Sequence, residues 1–151
     1  MTLRILLLAC AFALGCQTPD GPRLGLPDQR LDVPAPSGLA RVVFFNTSNK
    51  ALYPASGFVR IQLNGSTIPT VNHDRYTQIF LEPGEYDLLL EHVDLVTFTS
   101  KYRITVDGPD LFIAAYSQLV STGFKVHKQL PARFEQHWRP AKLPTSGRRA
   151  A

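Results

Sequence analysis

At 151 residues and 16.8 kDa the chain has room for one modest hydrophobic core, which takes roughly 100–150 residues, and not for a multidomain enzyme. Lys and Arg number 16 against 12 Asp and Glu, but Arg139, Lys142, Arg148 and Arg149 lie in the last thirteen residues with no acid among them, leaving 12 against 12 elsewhere. The excess therefore belongs to a tail, not to the basic stripe of a nucleic-acid-binding face, while 12 Pro and 10 Gly with 44% hydrophobic residues favour a turn-rich β protein.

The first residues read as a targeting segment. Arg4 supplies a short positive n-region, and Ile5 to Leu14 form an apolar run that ends at Gly15-Cys16. A membrane-spanning helix takes about 20 residues, so this run has the length of a signal-peptide h-region. Ala13-Leu14-Gly15-Cys16 resembles a bacterial lipobox, in which a small residue precedes a cysteine that is diacylated and becomes the first residue after cleavage. The match is good at Gly15-Cys16; the usual pattern has Leu where Ala13 stands and a small residue where Leu14 stands. The alternatives are an ordinary secretory signal cleaved near Cys16, or acylation at Cys10 through Leu7-Leu8-Ala9-Cys10, which leaves a very short h-region. Both cysteines fall in this segment, so the mature chain has no disulfide, Cys-based metal site or thiol nucleophile. Lipidation at Cys16 implies a membrane partner: one acyl chain binds marginally, whereas three, each buried methylene adding roughly 0.8 kcal/mol, attach almost permanently. Gln17, where inner-membrane lipoproteins commonly carry Asp, implies the periplasmic face of the outer membrane.

Residues 1–15 are thus expected to be a signal peptide and 16–39 a lipidated cysteine followed by a tether. Gln17 to Leu39 hold five prolines and three glycines in 23 residues, and such a linker reaches up to roughly 70 Å extended or about 25 Å as a coil. Residues 40–136 are expected to form the folded domain and 137–151 a disordered basic tail.

Between Ala40 and Leu130 short runs rich in β-branched and aromatic residues alternate with turn dipeptides, the pattern of an antiparallel β-sandwich. The strands predicted are Ala40 to Asn46, Phe58 to Leu63, Ser66 to Val71, Tyr76 to Leu81, Glu85 to Val93, Thr97 to Val106, Leu111 to Ser117 and Val120 to Lys128. Asn64-Gly65 signals a tight type I′ hairpin, since both residues tolerate positive φ. Glu82-Pro83-Gly84-Glu85 places Pro and Gly at the centre of a type II turn.

The fifth and sixth strands carry the clearest alternation. Tyr86, Leu88 and Leu90 share one face and Glu85, Asp87, Leu89 and Glu91 the other, opposite a strand that alternates Phe98, Ser100, Tyr102, Ile104 with Thr97, Thr99, Lys101, Arg103. A hairpin centred near Asp94 sets Asp87 against Lys101, Glu85 against Arg103, Tyr86 against Tyr102 and Leu90 against Phe98. The carboxylates then form a solvated charge ladder, since basic neighbours hold them ionised while a general acid needs a raised pKa.

Other constellations are weak. His73, His92, His127 and His137 share no metal-ligand spacing, His73-Asp74 sits in a turn whose polarity accounts for it, and no phosphate-binding glycine loop occurs. No cofactor, metal or catalytic residue is implied. Phe44, Phe45, Tyr76, Phe80, Tyr86, Phe98, Tyr102, Phe112, Tyr116 and Phe124 fall mostly on one face of their strands, as core residues do, with a carbohydrate-binding surface as the alternative. Trp138 lies outside the strand pattern, either a plug over one end of the sandwich or an exposed contact.

Val59-Arg60-Ile61-Gln62-Leu63-Asn64-Gly65, Phe80-Leu81-Glu82-Pro83-Gly84-Glu85-Tyr86-Asp87-Leu88 and Leu111-Phe112-Ile113-Ala114-Ala115-Tyr116 together resemble uncharacterised bacterial lipoproteins with a small immunoglobulin-like or prealbumin-like β-sandwich, and share turn cues with PEGA-type surface modules. Thr67-Ile68-Pro69-Thr70 and the long basic tail depart from that pattern. The resemblance implies a fold and an envelope location and brings no catalytic residues. Three functions follow: a non-catalytic module at the outer membrane that binds an envelope protein or stiffens an assembly, a binder of anionic envelope polymer through Arg139, Lys142, Arg148 and Arg149, or a hydrolase, for which the sequence offers no nucleophile–base pair.

Overall fold

A computed structural model describes residues 29–51, 57–93 and 96–141. In chain order its elements are β1 (Ala40–Asn46), β2 (Phe58–Leu63), β3 (Ser66–Asn72), β4 (Arg75–Leu81), β5 (Gly84–Val93), β6 (Thr97–Val106), β7 (Asp110–Ser117), β8 (Thr122–His127), the short helix α1 (Phe134–His137) and the two-residue β9 (Arg139–Pro140). All eight predicted strands occur, with ends moved by no more than two residues. The protein is an all-β sandwich of a five-stranded sheet, ordered β8-β7-β1-β4-β9, and a four-stranded sheet, ordered β3-β2-β5-β6. Most neighbours are antiparallel, but β1 runs parallel to β7 and β4 parallel to β9.

The two sheets bury different patterns because they meet different neighbours. In the four-stranded sheet Tyr86, Leu88 and Leu90 are buried while Glu85 and Asp87 face solvent, the alternation of a sheet wet on one side. In the five-stranded sheet β1 is apolar along nearly its whole length, because Val42 and Phe44 join the core between the sheets while Val43 and Phe45 join a second cluster on the opposite face. That second cluster holds Tyr76, Phe112, Ala114 and Phe134, and is lidded by Leu31 from the N-terminal side and by Leu130 and Trp138 from the C-terminal side.

The domain therefore extends past both expected boundaries. Gln29, placed in the tether, is buried, and its side-chain amide makes a reciprocal pair with β4: Nε2 donates to the Gln78 carbonyl at 3.0 Å and Oε1 accepts from the Gln78 N–H at 2.8 Å. The Tyr76 hydroxyl donates to the Gln29 carbonyl at 2.7 Å, and the Arg41 guanidinium donates to the Leu31 carbonyl. At the other end Arg139 and Pro140 pair with Arg75 and Tyr76, and the Ala141 N–H donates to the Tyr76 carbonyl at 2.7 Å. Gln29 on one side and residues 139–141 on the other thus satisfy the outer edge of β4, which would otherwise present open backbone groups. Residues 137–141 belong to this fold, so the tail expected over 137–151 loses its first five residues to the sheet. Trp138 is no plug at the end of the sandwich. It lies on the outer face of the five-stranded sheet, 4.9 Å from the Phe134 ring and 5.4 Å from that of Phe45, with Nε1 donating to the Asn46 carbonyl at 3.0 Å.

Turn chemistry accounts for the hairpins, with one difference. Asn64 and Gly65 take φ of 46° and 78°, as a type I′ turn requires, and Leu63 pairs with Ser66. Gly84 takes φ of 156° rather than the value near +80° of a type II turn, and pairs with Val106 as the first residue of β5. There the chain crosses from one sheet to the other, and the Tyr86 hydroxyl closes the corner by donating to the Glu82 carbonyl at 2.8 Å. Burial, and next the Glu82 carboxylate, push the Tyr86 phenol above its usual value of 10.0. Pro69 sits on the edge strand β3 where the β2–β3 register slips by one residue, the bulged edge position that a residue without an N–H tolerates.

Candidate functional site

The expected contacts divide between described residues and the rest. Cys16, Lys142, Arg148 and Arg149 lie outside the described residues. Arg139 is exposed at β9 beside Arg75, with its guanidinium donating to the Glu135 carbonyl at 3.2 Å.

The acidic cluster is a charge ladder in a register two residues from the expected one. Asp87 pairs with Arg103, Leu89 with Lys101, Leu88 with Tyr102 and His92 with Phe98. A two-residue shift keeps every side chain on its face, so the charges still meet: Arg103 lies 3.3 Å from the Asp87 carboxylate and 3.9 Å from that of Glu85. All three are exposed, and pairs of this kind contribute about 0–1 kcal/mol.

The histidines remain apart. His137 is exposed, with Nδ1 3.0 Å from the Arg133 carbonyl, and the His127 ring packs 5.8 Å from Phe45. Asp74 forms an exposed ion pair with Lys50. His92 is fully buried, stacked 5.0 Å from Phe98, with Nδ1 2.7 Å from the Thr122 hydroxyl. The Thr122 N–H donates to Ser100 Oγ at 3.0 Å, and the Tyr102 hydroxyl donates to the Thr122 carbonyl at 2.6 Å. These four residues clasp β5 and β6 to β8 across the open corner of the sandwich. The clasp was not legible in sequence, because His92 and Thr122 are thirty positions apart and meet only when the sheets stack. Among the described residues no group of three or more His, Cys, Asp or Glu is placed to hold a metal ion. None of the ten aromatic residues weighed as a carbohydrate platform is exposed.

The surface that stands out chemically is one end of the sandwich. β1 and β7 end there, β2, β4 and β6 begin there, and Asn46 Nδ2 ties it together by donating to the Val71 carbonyl at 3.0 Å. At this end the β7–β8 hairpin lifts Leu119 and Val120 into solvent, 81% and 76% exposed, and Val96 before β6 is 57% exposed. Below the tip a groove of about 560 Å³ is lined by Ser48, Asn49, Tyr116, Ser117, Gln118 and Ser121 among others. The Ser117 N–H donates to Ser48 Oγ at 2.9 Å, and Ser121 Oγ donates to Gln118 Oε1 at 2.6 Å. None of the described lining residues is His, Asp or Glu, so the groove offers neutral hydrogen bonding beside an apolar tip. Composition alone did not mark this end: Val120 reads as the first residue of a strand, and β8 begins only at Thr122.

Comparison with family models, with curated proteins and with solved structures finds no match in any of the three. Among the described residues no helix is long and apolar enough to cross a membrane.

Proposed function

We propose that this chain is a lipid-anchored, non-catalytic module of the bacterial cell envelope, held by Cys16 at the periplasmic face of the outer membrane and serving as a binding or structural partner of an envelope protein. The observation that carries this reading is the segment from Arg4 through the Ile5–Leu14 apolar run to Gly15-Cys16. The fold is compatible with it, since Gln29 lies only thirteen residues beyond Cys16. At about 3.3–3.6 Å per residue that length keeps Gln29 within roughly 45 Å of the anchor, a shorter tether than the boundary at residue 39 implied. Of the two sandwich types the sequence resembles, we favour the prealbumin-like one. An immunoglobulin constant domain places its first two strands in one sheet, whereas β1 and β2 lie in different sheets here.

A second reading, contact with an anionic envelope polymer, draws support from Arg139, whose backbone is fixed next to Arg75 at the edge of the sheet. Two arginines held side by side repel each other unless an anion lies near, and Lys142, Arg148 and Arg149 follow in sequence.

Metabolic labelling with a tagged fatty acid tests the first reading. Wild-type chain takes up label and stays with membranes through a high-salt wash, while Cys16→Ser loses both. Unchanged labelling in Cys16→Ser would remove the anchor reading. Release of the wild type by salt, with no acyl label, would favour the polymer.

A further inference from the structure

We propose that the apolar end of the sandwich, carried by Leu119, Val120 and Val96, rests in the headgroup–acyl boundary of the membrane that holds the anchor, so that the domain stands on the bilayer through this end; the inference rests on lipidation at Cys16. Leu119 and Val120 are the most exposed large hydrophobic residues described, they are adjacent at a hairpin tip, and Val96 lies at the same end. A tight hairpin presents its apolar side chains outward on a narrow front, which suits insertion between lipids and gives little area to a protein partner.

The occupant follows from where the chain is tied. Gln29 is fixed to Tyr76 and Gln78 of β4, which pair with Phe45 towards the end of β1 and with Val43 at its middle. From there the chain runs across the outer face towards Ala40, at the start of β1 and the opposite end of the sandwich. The chain thus enters the domain between the middle of the five-stranded sheet and its apolar end. Phe112 pairs with Val43, so the rise from that level to the hairpin tip is about seven residues, roughly 23 Å at 3.3 Å per residue. The thirteen residues from Cys16 to Gln29 span up to roughly 45 Å and so allow the tip to meet the bilayer. A short tether also raises the effective concentration of the tip at the membrane into the range of about millimolar or above, so a contact too weak to hold a free protein is occupied once the chain is anchored. The neutral groove under the tip fits the same placement, with Ser48, Asn49 and Gln118 at headgroup level and no buried carboxylate to desolvate.

Site-specific fluorescence on the full lipidated chain tests this. After cleavage at Cys16 the chain has no other cysteine, and acylation blocks that thiol, so Leu119→Cys gives a single site for a nitrobenzoxadiazole label; Val120→Cys provides a second tip site and Asp107→Cys a site at the opposite end. In vesicles of phosphatidylethanolamine and phosphatidylglycerol the tip labels should shift to the blue with a several-fold gain in emission, while the label at 107 stays as in water. Vesicle-bound chain whose tip labels read as water overturns the proposal, as does an equal shift at all three sites, which would mean that the domain lies on its side. A chain that fails to float with vesicles overturns the anchor reading and this proposal with it. A tip shift in the Cys16→Ser chain without vesicles, growing with protein concentration, would assign the tip to a second copy and also overturn it.

Discussion

Gly84 shows how a residue type holds a corner for a reason other than the obvious one. Pro83-Gly84 reads as a type II turn, yet Gly84 is nearly extended at φ of 156°, with open space where a Cβ would project. Backbone strain alone disfavours a side chain there, so Gly84→Val is expected to destabilise the fold by about 1–3 kcal/mol in urea unfolding; a variant as stable as the parent would mean that the corner relaxes freely. Two residues on, Tyr86 closes the same corner through its hydroxyl. Its phenol is raised above 10.0 by burial, so above pH 10 the unfolded chain releases this proton more readily than the folded one, and stability falls as pH rises through that range. Tyr86→Phe should cost about 0.5–1.5 kcal/mol at neutral pH, through loss of the bond to Glu82, and should lessen the decline in stability above pH 10. An unchanged alkaline profile would show that Tyr86 does not contribute to it.

At the scale of elements, sequence and structure agree where a sheet has one wet face and part company where it has none. The alternation in β5 and β6 made their faces legible, though not their register, because a slip of two residues leaves the same side chains inward and Arg103 reaches Asp87 and Glu85 either way. β1 carried a different message in its unbroken Val42-Val43-Phe44-Phe45 run: a strand apolar on both faces needs a second cover. That cover comes from Gln29 and Leu31 in the expected tether, Trp138 in the expected tail, and Leu130 and Phe134 beyond the last predicted strand. Gln29→Ala removes both bonds to the Gln78 backbone and should cost about 1–3 kcal/mol; a change in the melting temperature too small to resolve would mean that water replaces the amide at no loss. Truncation separates the two parts of the C-terminal segment. Removing residues 142–151 should leave stability unchanged, whereas removing 137–151 also takes Trp138 from its place over Phe45 and Phe134 and should cost about 2–4 kcal/mol. Equal stability of the two truncations would show that β9 and Trp138 do not hold the outer face.

Among the described residues, the segments before β1 and after β8 are laid over one sheet, and the outward side chains of β5 and β6 on the other, Glu85, Asp87 and Arg103 among them, are exposed. A fragment limited to residues 41–128 would bare Val43, Phe45 and Phe112, which makes the terminal straps part of the domain's stability. The proposed function joins this domain to a lipid at Cys16 and depends most on the point of attachment. Intact-mass and N-terminal peptide mass spectrometry of the protein extracted from purified outer membranes measures it directly. The expected chain begins at Cys16 and carries the added mass of a diacylglyceryl group and an amide-linked acyl chain; a chain that begins elsewhere, or at Cys16 with no added mass, would rule out the anchor.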